Sequence, residues 1–142
     1  MKLVVHVDGG SRGNPGPGAA ASVVSSLDGE VLDEASELLG TVTNNVAEYR
    51  ALLLGLARAR TLGATEVEVI NDSELIATQV QGLYKVKHAA MRPLHSDATA
   101  ALGKFDAWKI RSVPRAQNAH ADALVNAALD GSSSSSVASA AG

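Results

Sequence analysis

The sequence of 142 residues contains no cysteine, few aromatic residues and no long apolar run. Without cysteine the chain has no disulfide framework and no thiolate zinc site, which fits a reducing compartment, and we expect a cytoplasmic protein. Aromatic residues make up only 3% of the chain, so the core must be built from Val, Leu, Ile and Ala. No apolar stretch approaches the length of a membrane span, and the N-terminal residues predict a strand rather than a signal peptide. We therefore expect no membrane partner.

The chain also lacks the excess of basic residues that is typical of nucleic-acid-binding proteins. Twelve Lys and Arg residues against 15 Asp and Glu residues give a net charge of −3. Phosphate binding depends on local patches, however, and clustered metal-binding carboxylates would lower the total, so the net charge leaves a nucleic-acid partner open. The length predicts one domain with a substantial core, and we expect a monomer.

The predicted elements follow the order β-β-β-α-β-α-α-β-α, which indicates an α/β fold with a five-stranded mixed sheet flanked by helices. Strands are predicted at 3–7, 20–25, 30–39, 66–71 and 107–113, and helices at 43–62, 73–81, 93–103 and 117–129. A right-handed β-α-β crossover places the fourth strand parallel to the first, so Asp8 and Asp72 should end side by side. Residues 131–142 have a flexible linker composition, which limits the predicted domain to 1–130.

Local signals predict several connections and helix ends. Asp28-Gly29 between two apolar runs predicts a hairpin, and residues 9–18 are rich enough in Gly and Pro to predict a loop. Asn45 and Glu48 fit a capping box at the start of the first helix, and Gly63 fits its C-cap. In the second helix, Leu75, Ile76 and Val80 are expected to face inward.

Four acidic residues occupy suggestive positions in this arrangement. Asp8 and Asp72 end strands, Glu48 lies near the start of a helix, and Asp122 lies near the start of the last helix. Each alone also fits an ordinary structural role, because acids favour helix N-termini and strand ends. Together they can meet at one edge of the sheet, where oxygen ligands would suit Mg²⁺ or Mn²⁺ rather than zinc.

The Gly-rich segment does not match the common nucleotide-binding loops. It contains no P-loop lysine, and the third glycine of a dinucleotide fingerprint is replaced by Ala21 at the start of a predicted strand. Its backbone N–H groups could still meet a phosphate or a ribose hydroxyl. A simple turn between two strands is the alternative.

Four segments together resemble type 1 ribonuclease H. They are DGGSRGNPGPG at 8–18, TNNVAEYRAL at 43–52, NDS at 71–73 and VPRAQNAHADALVN at 113–126. They follow the order and spacing of the family over residues 1–130, and the combination is far more specific than any one motif. The resemblance is strongest to an archaeal-like and actinobacterial branch, in which ribonuclease H is fused to an acid phosphatase. A C-terminal domain absent from this chain would fit the Ser-rich end.

The resemblance implies hydrolysis of the RNA strand of RNA–DNA hybrids, with 5′-phosphate and 3′-hydroxyl ends. It implies that Asp8, Glu48, Asp72 and Asp122 bind two divalent cations, Mg²⁺ or Mn²⁺, which activate a water and stabilise the leaving 3′ oxygen. The implied substrate contacts are Gly10, Ser11, Asn14, Asn44 and Asn45. Glu48 is also expected near a 2′-hydroxyl, the group that distinguishes RNA from DNA. Simple helix capping is the alternative role for Asn44 and Asn45.

The chain departs from the family pattern at its basic and histidine residues. Many members carry a histidine for product release where Arg115 lies here, and His120 is a second candidate for that role. Lys85, Lys87 and Arg12 are candidates for contacts with DNA phosphates, although an ordinary solvated position fits each of them as well. Glu74 stands where some members have a glutamine that touches a base. The remaining histidines, His6, His88 and His95, are interpreted as structural or solvated.

Two other functions within the same fold remain as alternatives. A catalytically inactive module that only binds nucleic acid usually lacks one or more of the acids, and here all four are present. Integrases and transposases share the first acid, but the TNNVAE helix and the NPG loop match ribonuclease H specifically.

Overall fold

The computed structural model describes residues 1–131, in which five strands form one sheet and helices cover both of its faces. The strands are β1 (Lys2–Ser11), β2 (Gly16–Ser25), β3 (Val31–Val42), β4 (Glu66–Asn71) and β5 (Ala107–Ser112). The helices are α1 (Asn44–Thr61), α2 (Glu74–Val80), α3 (Arg92–Leu102) and α4 (Ala119–Gly131), with short 3₁₀ turns at Ala89–Met91 and Arg115–Asn118. The predicted fold class and element order are confirmed.

The strands lie in the order β3-β2-β1-β4-β5. β1 and β2 pair antiparallel, as do β2 and β3, and the turn between the last two contains Gly29 at a φ of 93°, as the hairpin signal predicts. β4 pairs parallel with both β1 and β5, with His6 opposite Ile70. The crossover prediction is therefore correct, because β1 runs beside β4 as far as His6 and Ile70, just before Asp8 and Asp72. The expectation that Asp8 ends its strand is wrong, since β1 continues to Ser11 while it pairs with β2.

The two faces of the sheet carry different kinds of packing. Alternate residues of β1 (Leu3, Val5 and Val7) pack with Leu52 and Leu56 of α1 in the main core. On the opposite face, Ala19 and Ala21 of β2 contact Val125 of α4. Because alanine side chains are short, α4 can lie close to the sheet, which brings the start of this helix toward β1.

The prediction of a long loop at residues 9–18 is wrong. β1 continues to Ser11 and β2 begins at Gly16, so only residues 12–15 connect the two strands. Gly13, at a φ of 106°, does lie in this short connection. Gly9 instead serves close packing, because a Cβ there would lie 2.1 Å from the carbonyl oxygen of Ala47 in α1. Composition indicated flexibility here, whereas the tertiary structure uses the missing side chain to bring a helix against a strand.

The predicted ends of the helices are partly correct. The capping box is wrong, because Thr43 is the N-cap of α1 and its hydroxyl accepts a hydrogen bond from the Val46 amide (3.3 Å), which leaves Asn45 inside the helix. Gly63 follows the end of α1 with a φ of 90°, as expected for a C-terminal glycine. Ile76 and Val80 are buried as predicted, whereas Leu75 is 40% exposed because it lies outside the buried face of α2.

Helix α4 reaches Gly131, the first residue of the predicted linker, and the remainder of that segment lies outside the described residues. Within residues 1–131, no helix has the length and apolar character needed to cross a membrane.

Candidate active site

The four acids predicted from the sequence lie around one end of the sheet. Asp8 is in β1, Asp72 directly follows β4, Glu48 is in the N-terminal part of α1, and Asp122 is in the first turn of α4. Three of them line a shallow cleft, whose lining residues are Val7, Asp8, Gly9, Glu48, Leu52, Asn71, Asp72, Ile76 and Ile110. The cleft is thus lined by apolar side chains together with carboxylates, at the carboxyl edge of parallel strands where α/β folds bind ligands.

The carboxylates strongly influence one another. Burial, together with the charges of Asp72, Asp122 and Glu48, raises the pKa of Asp8 from 3.8 to about 8. A side-chain hydrogen bond between Asp8 and Asp122 favours the neutral form of Asp8 as well. Burial and the charge of Asp72 raise the pKa of Glu48 to about 7, against an opposing hydrogen bond with Ser73. The site therefore concentrates more negative charge than it can stabilise by itself.

Only one of the four acids has a cationic partner among the described residues. Nη2 and Nε of Arg115 donate to Oδ1 of Asp122 over 3.0 and 3.3 Å, while no Lys or Arg side chain contacts Asp8, Glu48 or Asp72 in residues 1–131. In the same residues, no group of three or more acidic or histidine side chains is arranged so that it could already hold a metal ion. The acids are close enough to repel one another, but their carboxylate oxygens are not arranged around a single common point.

Two asparagines for which the sequence predicts no role fix the backbone at these acids. The Asn71 side chain donates to the Arg111 carbonyl (3.1 Å) and accepts from the Ser73 amide (2.7 Å), which shapes the turn at Asp72. Nδ2 of the buried Asn118 donates to the Val7 carbonyl (2.9 Å), next to Asp8. Both asparagines belong to the recognised motifs, but local sequence does not reveal partners 40 and 111 residues away.

The short β1–β2 connection and the start of α1 form one hydrogen-bonded unit. The Ser11 amide donates to Oδ1 of Asn44 (3.3 Å), and the Asn44 amide donates to Oδ1 of Asn14 (3.1 Å). Gly10 lies beside Asn44, because a Cβ there would be 3.6 Å from the same Oδ1 atom. Four of the five predicted contact residues are therefore brought together, and Asn45 is a half-buried neighbour on α1.

The predicted basic contacts lie in two separate places. Arg12 is in the β1–β2 connection, where its guanidinium meets Asp130 (2.5 Å) and Oδ1 of Asn126 (3.4 Å) on α4. Lys85 and Lys87 are exposed on the segment that follows α2, and Arg92 anchors this segment by donating to the Val86 carbonyl (3.3 Å). No hydrogen bond within residues 1–131 connects these two lysines to the four acids.

The histidines do not join the acids. His120 pairs with Glu34 of β3 instead of turning toward the cleft. Burial lowers the pKa of the half-buried His6, and the charges of Arg111 and His120 contribute in the same direction. His95 forms a hydrogen bond with the Gln79 carbonyl (3.0 Å), which supports its interpretation as a structural residue. Glu74 is the exposed first residue of α2.

The family model described as "Reverse transcriptase-like" matches residues 6–128, a range that includes all four acids. The described fold also superimposes on the crystal structure of RNase H1 from the halophilic archaeon Halobacterium salinarum with a TM-score of 0.89. Sequence identity to that structure is 41%, and the match covers 92% of this chain and 98% of the archaeal chain. The chain belongs to the type 1 ribonuclease H family.

Two further ribonucleases H of the family are similar over most of this domain. The N-terminal RNase H domain of Rv2228c from Mycobacterium tuberculosis has a TM-score of 0.89 and 46% identity, covering 92% of this chain and 94% of that one. LC11-RNase H1, solved in complex with an RNA/DNA hybrid, has a TM-score of 0.87 and 38% identity, covering 92% and 98%. The full-length protein Rv2228c, named as bifunctional, is longer: the match spans 99% of this chain but 39% of that protein.

Proposed function

We propose that the chain is an endonuclease that hydrolyses the RNA strand of RNA–DNA hybrids and leaves 5′-phosphate and 3′-hydroxyl ends. The observation that carries the proposal is the meeting of Asp8, Glu48, Asp72 and Asp122 at one edge of the sheet, three of them without a cationic partner in residues 1–131. Family membership supports the same reaction, because LC11-RNase H1 shares the fold and was solved with an RNA/DNA hybrid.

The donor set fits a pair of hard divalent cations, Mg²⁺ or Mn²⁺. Four carboxylates supply the oxygen ligands that such ions prefer. The raised pKa values of Asp8 and Glu48 reflect burial and, after it, a repulsion between the acids that bound cations would relieve. When bound, the cations would supply an activated water and stabilisation of the leaving oxygen. The four acids would hold the cations. Arg115 would have to release Asp122 so that this carboxylate could bind a cation.

The loop and helix around the acids would bind and orient the hybrid. Gly10, Ser11 and Asn14 present backbone and side-chain groups beside Asn44 and Asn45, which suits recognition of ribose hydroxyls on the RNA strand. Glu48 lies on the same helix as Asn44 and Asn45 and lines the cleft, and it would accept a hydrogen bond from a 2′-hydroxyl.

Basic side chains at the edges of the site would contact phosphates. Lys85 and Lys87 are exposed and would meet the DNA strand, together with Arg12 of the β1–β2 connection. Arg115 would bind the product phosphate next to Asp122 and assist its release. Because the chain has few cations in total, we expect a modest hybrid affinity that decreases as the salt concentration rises.

The partners and location of the protein also follow as proposals. We propose a monomeric cytoplasmic enzyme whose ribonuclease H domain ends near residue 130 and is followed by a linker. A fused C-terminal domain fits the greater length of Rv2228c, which this chain matches over 39% of its residues.

The test is cleavage of a hybrid labelled on both strands, with Mg²⁺, with Mn²⁺ and with EDTA. The test variant is Asp72→Asn, and the matched control is Asp97→Asn at an exposed position of α3. We expect metal-dependent cutting of the RNA strand alone, a loss of at least a hundredfold in Asp72→Asn, and unchanged activity in the control. If the wild type binds the hybrid in both metals and cuts neither strand, the chain is a binding module and the proposed hydrolysis is wrong.

A further inference from the structure

One face of α4 carries a line of three polar side chains at intervals of four residues: Asp122, Asn126 and Asp130. Residues four apart lie above one another on a helix. Arg115 pairs with the first of them, and Arg12 meets the other two. The line therefore runs from the fourth acid of the site to the β1–β2 connection.

Asn126 is in the middle of this line and makes contacts in both directions. Its Nδ2 atom donates to the backbone carbonyl of Asp122 (3.1 Å) and lies 3.4 Å from Oδ2 of the same residue. Its Oδ1 atom accepts from Nη2 of Arg12 (3.4 Å). A carboxamide can donate to a carboxylate on one side and accept from a guanidinium on the other. Aspartate would repel Asp122, and an apolar residue would offer neither contact.

We propose that Asn126 is a positioning residue that orients the Asp122 carboxylate and the Arg12 guanidinium together. By this arrangement, the acid that would bind a cation and the basic side chain that would bind a backbone phosphate keep a constant separation. The inference deepens the proposed function and rests on it, since it assigns a hybrid phosphate to Arg12.

Arg12 is held by its contacts on α4 and is still exposed enough to bind a phosphate. The side chains of Arg12 and Asp130 are 47% and 66% exposed, so their ion pair is weak and does not prevent phosphate binding. A guanidinium has five N–H donors, of which the contacts with Asn126 and Asp130 use two. Holding Arg12 in advance lowers the entropy that it loses when it binds the hybrid.

The first arm of the test measures hybrid binding without turnover, by fluorescence anisotropy in EDTA at low salt. Arg12→Ala should weaken binding about fivefold and lower the salt dependence by roughly one phosphate contact. Asn126→Ala should weaken binding about threefold, because Arg12 is then free to move. In the double variant we expect about fivefold, as for Arg12→Ala alone, because Asn126 acts through Arg12.

The second arm measures Mn²⁺ binding to the protein alone by calorimetry. Asn126→Ala should weaken the binding about tenfold, since a ligating carboxylate that loses its hydrogen-bond partner binds metal less well. Arg12→Ala should leave it unchanged, because Arg12 does not contact Asp122. Gln117→Ala is the matched control in both arms, as its amide is exposed and makes no side-chain hydrogen bond within residues 1–131.

Asn126→Leu keeps a side chain with the same branching and the same number of non-hydrogen atoms at this half-buried position. It serves as the second variant if Asn126→Ala unfolds, and the same losses are expected. Independent effects of Arg12→Ala and Asn126→Ala on hybrid binding, near fifteenfold in the double variant, would overturn the link to Arg12. Unchanged Mn²⁺ affinity in Asn126→Ala or Asn126→Leu would overturn the link to Asp122. Neither arm depends on cleavage, so a wild type that binds hybrid and Mn²⁺ without cutting would refute the proposed hydrolysis and still decide this inference.

Discussion

Replacing Asp8 by asparagine should stabilise the metal-free protein at neutral and alkaline pH. Asp8 is 8% exposed, and burial together with three neighbouring acids raises its pKa from 3.8 to about 8. At about 1.4 kcal/mol per pH unit, this rise corresponds to roughly 6 kcal/mol of preference for the neutral form. Asparagine keeps the shape of the side chain and is always neutral. Rotation of the wild-type carboxyl toward water relieves part of the repulsion, so we expect a gain on the order of 3 kcal/mol.

The dependence on pH follows from the direction of the shift. A carboxyl whose pKa is raised in the folded state stabilises the fold fully below its unfolded value of 3.8, and this contribution is lost as the pH rises to about 8. The free energy of unfolding of the metal-free wild type should therefore fall between pH 4 and pH 8. The raised pKa of Glu48, about 7, acts in the same direction. The curve for Asp8→Asn should be flatter, so its advantage grows with pH.

The assay is urea unfolding followed by circular dichroism, in EDTA at pH 5 and pH 8 and then with Mn²⁺. Asp97→Asn on the exposed side of α3 is the control for loss of a carboxylate. With Mn²⁺ the order should reverse, because bound metal stabilises only the folded wild type. If Asp8→Asn in EDTA at pH 8 is no more stable than the wild type, the acids do not repel one another as the structure indicates.

Two further predictions concern the packing and the charges around the site. Gly9→Ala should lower the free energy of unfolding by more than about 3 kcal/mol, because the new Cβ would lie only 2.1 Å from the carbonyl oxygen of Ala47. The same urea titration measures this loss, and a loss below about 1 kcal/mol would contradict the close approach of α1 to β1. Arg115→Ala should tighten Mn²⁺ binding about threefold, as measured by calorimetry, since the guanidinium competes with the cation for Asp122. Weaker Mn²⁺ binding in this variant would show that Arg115 supports the metal site.

The sequence by itself determined the order of the elements and the edge of the sheet at which the acids meet. Strand and helix periodicity, together with the handedness of a β-α-β crossover, placed β4 beside β1 and Asp72 near Asp8. These conclusions depend on the pattern within each segment and on a rule that holds for nearly all such connections. The motifs also led to the loop residues Ser11 and Asn14, which the structure brings to Asn44.

Only the tertiary structure decided how the site is held and charged. Gly9 lies in a strand because α1 passes over it, Thr43 caps α1 in place of Asn45, and His120 turns to Glu34. The raised pKa of Asp8 and the contacts of Asn126 with Asp122 and Arg12 also arise from the tertiary packing. Each depends on groups that are distant along the chain and close in space, and burial and contact distance are set by packing, which no local pattern of residues encodes.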